Sequence, residues 1–143
     1  MLPSLNNLLQ QLFGFNEFRL GQEQTIQQLL AGQSSLAIFP TGSGKSLCYQ
    51  FTATQLPHLT LVVSPLLALM KDQLAFLKSK GIAAASIDST LTPDQNKQVV
   101  ADVRQGNIKI LMVSVERFKN ERFRQLIESV PVSMLVVDEA HCI

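Results

Sequence analysis

The segment Ser35-Leu36-Ala37-Ile38-Phe39-Pro40-Thr41-Gly42-Ser43-Gly44-Lys45-Ser46 runs from a short apolar strand through a glycine-rich turn into a helix that leaves at Lys45. A strand, then a glycine turn, then a helix is the context in which such a sequence cradles phosphate. Glycine lets backbone amides turn inward and approach an anion closely. The helix N-terminus adds unpaired amides and the positive end of its dipole. In this arrangement Thr41, Gly42, Ser43 and Gly44 line the turn. Lys45 reaches the β- and γ-phosphates, and Ser46 offers its hydroxyl to Mg²⁺. The strict phosphate-loop pattern asks for glycine at position 39, where this chain has Phe39, so only the Thr41–Ser46 core matches.

The same alternation continues downstream. Strands are expected at Leu59–Val63, Ile82–Ile87, Ile108–Val113 and Val132–Val137, each nearly all apolar. Helices are expected over Leu66–Lys80, closed by Gly81, and from Pro93 to about Gln105, closed by Gly106, with Thr92 as the N-cap. Glu116–Val130 reads as mostly helix. Upstream, Leu2–Phe13 and Gln22–Leu30 read as amphipathic helices around an aromatic-rich turn, Gly14–Gly21. Continuous apolar strands alternating with helices predict an α/β fold, a parallel sheet covered on both faces. Ligands of such sheets sit beyond the carboxyl ends of the strands.

The last strand runs into Asp138-Glu139-Ala140-His141. Two adjacent acids at a strand end repel unless a cation or a division of labour separates them. Taken alone, the start of a solvated loop is the plainer reading. With a phosphate loop upstream, phosphoryl transfer gives each acid a task. Asp138 holds Mg²⁺ and Glu139 orients the attacking water.

Bulk properties bound the alternatives. The chain has 143 residues, 46% of them hydrophobic and 16% charged, which is a globular composition and not a disordered one. A net charge of +1 supplies no global field for a polyanion, so any nucleic-acid binding must come from local groups. Two distant cysteines, Cys48 and Cys142, form neither a zinc site nor a disulfide framework. A reduced, cytoplasmic protein is expected, in a bacterial cytoplasm or nucleoid, with no membrane partner. No apolar run approaches the roughly 20 residues that span a bilayer.

Beyond these readings, the residues resemble one family over essentially the whole chain. Phe13-Gly14-Phe15-Asn16-Glu17-Phe18-Arg19-Leu20-Gly21-Gln22 looks like the adenine-recognising motif of RecQ helicases. Thr41–Ser46 followed by Leu47-Cys48-Tyr49-Gln50 resembles motif I. Val62-Val63-Ser64-Pro65-Leu66 with Leu69-Met70-Lys71-Asp72-Gln73 resembles motif Ia. Ser89-Thr90 falls at motif Ib, and Val113-Ser114-Val115-Glu116-Arg117-Phe118 resembles motif Ic. Asp138-Glu139-Ala140-His141-Cys142-Ile143 resembles motif II in its DEAH form.

The resemblance implies a RecA-like P-loop domain ending after motif II, with N-terminal helices over 1–31 and the α/β core over 32–143. It implies ATP and Mg²⁺ as cofactors and a 3′–5′ DNA helicase that couples ATP hydrolysis to strand unwinding in repair and recombination. Phe15 would stack on adenine, Arg19 would lie on its other side, and Gln22 would bond its edge. Ser64, Thr90 and Arg117 would lie near the phosphates of single-stranded or forked DNA, and His141 would couple the nucleotide state to the DNA. A second motor domain and a zinc-binding and winged-helix region are expected as partners. Without them, the ATP-binding half alone is expected to be inactive, with strand edges left unpaired. Three residues depart from the family pattern. Phe15 stands for a tyrosine, Phe39 for a small residue or methionine, and Val115 for a proline. The competing readings are a non-catalytic nucleotide-binding module and another DEAH-type translocase acting on RNA or DNA.

Overall fold

The computed structural model describes residues 5–18, 22–31, 45–63, 67–88 and 90–137. The expected strand over 35–39 lies outside them. The chain forms two compact units, Met1–Leu56 and Pro57–Ile143.

The first unit holds three helices, α1 (Leu5–Phe13), α2 (Gln22–Leu30) and α3 (Lys45–Gln55). In α3, Cys48 to Ala53 are six consecutive buried residues, so no face of this stretch meets water. Its polar members are satisfied locally. The Thr52 hydroxyl donates to the Cys48 carbonyl at 2.7 Å. α2 packs against α3. After α1 the chain turns at Gly14, with φ of 78°, a conformation that a Cβ would strain. Phe13 and Phe18, on either side of this turn, both pack on Phe51 of α3, with ring centroids 6.1 and 5.3 Å away. The second contact is edge-on, an arrangement aromatic rings favour.

The second unit is a four-stranded, all-parallel sheet. Its strands are β1 (Leu59–Val63), β2 (Ala84–Ile87), β3 (Ile110–Val113) and β4 (Val132–Val137), in the order β2-β3-β1-β4. Between them run α4 (Leu67–Ser79), α5 (Pro93–Arg104) and α6 (Glu121–Ser129). Side chains alternate faces along each strand. Leu59, Leu61, Val63, Ile87, Leu111 and Val113 form one layer with Val103 of α5 and Phe123 and Leu126 of α6. The alternate residues Thr60, Val62, Ile110 and Met112 are buried on the other face.

Local chemistry ends the helices where the sequence predicts. Gly81 (φ 73°) donates to the Lys78 carbonyl, and Ile82 donates to the Leu77 carbonyl at 3.0 Å. Leu77 and Ile82 are both buried, which completes a Schellman stop with its apolar contact. Gly106 and Asn107 repeat the motif after α5, bonding the carbonyls of Val103 and Asp102. Thr92 and Gln95 form the reciprocal capping box that starts α5.

Glu116–Val130 is mostly helical, as expected, but in two pieces. A 3₁₀ turn, Val115–Lys119, stops at Asn120, whose side chain accepts the Phe123 amide at 3.0 Å and caps α6. A helix end needs such an acceptor for its unpaired amides. β4 is not sealed like its neighbours. Among the described residues it pairs only with β1 and contributes nothing to the α5–α6 layer. Leu135 is therefore 61% exposed and Val137 47%.

Within buried β1, the Thr60 hydroxyl has no hydrogen-bond partner among the described residues. An unpaired buried hydroxyl costs on the order of 1–3 kcal/mol. Thr60→Val keeps the shape and removes the cost. Thermal or urea unfolding is expected to show a gain of about 1 kcal/mol; a loss would mean that the hydroxyl is bonded.

Candidate functional site

α3 begins at Lys45, which follows Thr41-Gly42-Ser43-Gly44 in the sequence. The first amides of a helix have no partner within it. The backbone therefore places unpaired N–H groups at Lys45 and Ser46, where a phosphate chain would be held. Three residues further on, burial pushes the Cys48 thiol up to about 11, so it stays protonated and inert at neutral pH.

The aromatic turn that precedes α2 is anchored by Phe13 and Phe18, and this leaves Phe15 43% exposed between them. Gln22, the first residue of α2, is by contrast 1% exposed and already engaged within the protein. An amide in that position must gain exposure before it can bond a base. Arg19, Thr41, Gly42, Ser43, Gly44, Ser64, Asp138, Glu139 and His141 lie outside the described residues.

In the second unit, Thr90 follows β2 and Arg117 follows β3. Their strands are neighbours in register, with Ile87 opposite Val113, so both residues stand at the carboxyl edge of the sheet. Thr90 is held by a residue that sequence reasoning missed. Asp88, buried at the end of β2, accepts the Thr90 amide at 2.8 Å, the Thr90 hydroxyl, and the Ser86 hydroxyl at 2.9 Å. Burial raises the Asp88 pKa, but the hydrogen bonds from Thr90 and Ser86 and the charge of Lys71 outweigh it. The carboxyl is held below its ordinary range. The one signal in the sequence was an acid two residues before a threonine at a strand end, a common turn-forming pattern. The clamp has a chemical consequence. Thr90 already donates its hydroxyl proton to Asp88, so its oxygen is free only as an acceptor, and a phosphate contact there requires the hydroxyl to turn away from Asp88.

A parallel sheet with helices between its strands, and a helix opening on Lys45 after the sequence Thr41-Gly42-Ser43-Gly44, are those of a RecA-like α/β domain. The chain belongs to the DEAD/DEAH box helicase family, whose profile matches residues 19–143. The RecQ resemblance also holds across the chain. It is 44% identical over 141 residues, 99% of the chain, to the ATP-dependent DNA helicase RecQ of Haemophilus influenzae. It is 45% identical over 98% of the chain to the ATP-dependent DNA helicase Q-like 5 of Arabidopsis thaliana. The chain spans 23% and 15% of the length of these two relatives. Among the described residues, no helix is long and apolar enough to cross a membrane.

Asp88→Ala leaves three donors facing an empty space and is expected to cost about 2 kcal/mol of stability at pH 7. The sign of the pH dependence follows from the lowered pKa. The stabilisation is present above the ordinary value of 3.8 and is lost as pH falls through the lower folded value. Urea unfolding from pH 7 down to pH 2 should therefore bring wild type and variant together at the acid end. A constant gap across that range would show that the carboxylate charge contributes nothing.

Proposed function

We propose that this chain is the ATP-binding part of the first motor domain of a RecQ-type ATP-dependent DNA helicase. The observation that carries the reading is the opening of α3 at Lys45, directly behind Thr41-Gly42-Ser43-Gly44. Lys45 and the helix amides hold the phosphates of ATP, Ser46 and Asp138 hold Mg²⁺, and Glu139 orients the attacking water. Bound Mg²⁺ neutralises the charge that develops on the phosphates. Phe15 stacks on adenine with Arg19 across from it, and the buried Gln22 amide reads the base edge after gaining exposure. Ser64, Thr90 and Arg117 face the backbone of single-stranded DNA, with Thr90 positioned by Asp88, and His141 couples the two sites. In a protein as long as the relatives, a second motor domain and a zinc-binding and winged-helix region complete the enzyme, which then unwinds DNA in the 3′–5′ direction.

ATP–Mg²⁺ binding by calorimetry tests this on wild type, Lys45→Ala and Phe15→Ala. Lys45→Ala should abolish measurable binding. Phe15 is half-exposed, and a thermal melt of Phe15→Ala separates lost stacking from lost folding. Base stacking contributes roughly 1–3 kcal/mol, so Phe15→Ala should weaken binding about 5- to 100-fold. Absence of binding by wild type, or unchanged binding by Lys45→Ala, would overturn the assignment.

A further inference from the structure

A cleft of about 640 Å³ runs between α5 and the Arg117–Leu126 segment. Four cations line it: Lys97 and Arg104 from α5, Arg117 from the 3₁₀ turn and Arg122 from α6. No acid lines it. The acids of the two helices, Asp94, Asp102, Glu121 and Glu128, all stand outside the lining, and Asp102 accepts the Gln98 amide at 3.0 Å. None of the four cations forms an ion pair with another described residue.

Two of the four neutral amides in the lining have the same bias. Asn120 spends its side-chain oxygen on the Phe123 amide. Gln105 spends its own on the Asn107 side chain at 3.1 Å. Both amides keep their NH₂ donors. Four cations beside amide donors of this kind favour an anion.

The walls decide between two polyanions. An acidic peptide of good affinity needs an apolar anchor pocket. Of the apolar lining residues, Ile87, Phe123 and Leu126 are buried, and Val100 and Ala101 of α5 are half-buried. Arginine, lysine and side-chain amides are instead the usual partners of phosphate oxygens. The cleft also has a defined entrance. Ile87 ends β2 and Arg117 follows β3, so its mouth lies at the carboxyl edge of the sheet, where Thr90 stands.

We propose that the α5–α6 cleft is a second nucleic-acid contact, which takes the sugar-phosphate backbone of a single strand beyond Thr90 and Arg117 onto Lys97, Arg104 and Arg122. The identity of the ligand rests on the DNA reading of the carboxyl edge; the preference for an anion does not. Arg117 joins the two surfaces, so the strand follows the sheet edge and then turns along α5.

The test is fluorescence anisotropy with a labelled oligo-dT across a salt series. It compares wild type with the triple variant Lys97→Gln, Arg104→Gln and Arg122→Gln. All three residues are exposed, so folding is undisturbed, which a thermal melt checks. Each single-strand phosphate contact contributes about 0.7 to the slope of log K against log salt, so the variant's slope should be shallower by about 2. ATP binding should be unchanged. If wild type binds oligo-dT and the variant does so with equal affinity and slope, the cleft proposal fails and the DNA reading stands. If wild type binds no oligo-dT, both fail. If polyglutamate binds wild type more tightly than oligo-dT does and the variant loses it, the cleft is a peptide site and the proposal is overturned.

Discussion

The in-register pairing of β1 with β3, buried from end to end on both faces, is the constraint on which the α/β unit depends. Parallel strands bond only through evenly spaced backbone groups, and burial deprives those groups of water as an alternative partner. The pair therefore cannot slip without reversing which side chains meet α5 and α6. With the register set, β2 aligns on β3 through Ile87 and Val113. The residues that leave both strands, Thr90 and Arg117, then emerge at one edge. The other side is less strict. The register of β1 with β4 shifts between Leu59 and Thr60, and the Ser133 hydroxyl takes the His58 amide at 2.9 Å.

The carboxyl edge shows how a polar network can be both structural and functional. Asp88 is buried, and three donors and a nearby lysine charge keep it ionised. That makes it a fixed negative point beside the positions read as phosphate contacts. It orients the Thr90 backbone while repelling an anion that comes too close. Arg117 and the cations of α5 and α6 supply the opposing attraction. A strand drawn to this edge would be guided away from β2 and towards α6.

Much of this was legible residue by residue. Helix stops at Gly81 and Gly106 depend on φ angles that glycine alone adopts readily, and the Thr92–Pro93–Gln95 cap is closed within four residues. Strand positions followed from apolar runs bounded by turn residues. The 3₁₀ break at Asn120 was less visible, because apolar residues at helical spacing (Phe123, Leu126, Ile127, Val130) follow it directly and Phe118 stands just before it. The site was legible as types of chemistry. A glycine turn before a lysine, an aromatic ring near a glutamine and a pair of acids after a strand each point to one ligand atom. How far each is open to that ligand is a matter of packing.

The sequence by itself determined the kind of elements, their order, their stops and the chemistry stationed between them. These follow from backbone sterics and from periodicity, both local properties. Only the tertiary structure decided that Gln22 is buried while Phe15 is exposed, that Asp88 holds Thr90, and that the apolar β4 lies at an edge of the described sheet. It also decided that four cations, spread over 26 positions from Lys97 to Arg122, line one cleft. Each of these depends on which elements become neighbours. Neighbourhood is set by the summed burial of many side chains, and no single stretch of the chain contains that sum.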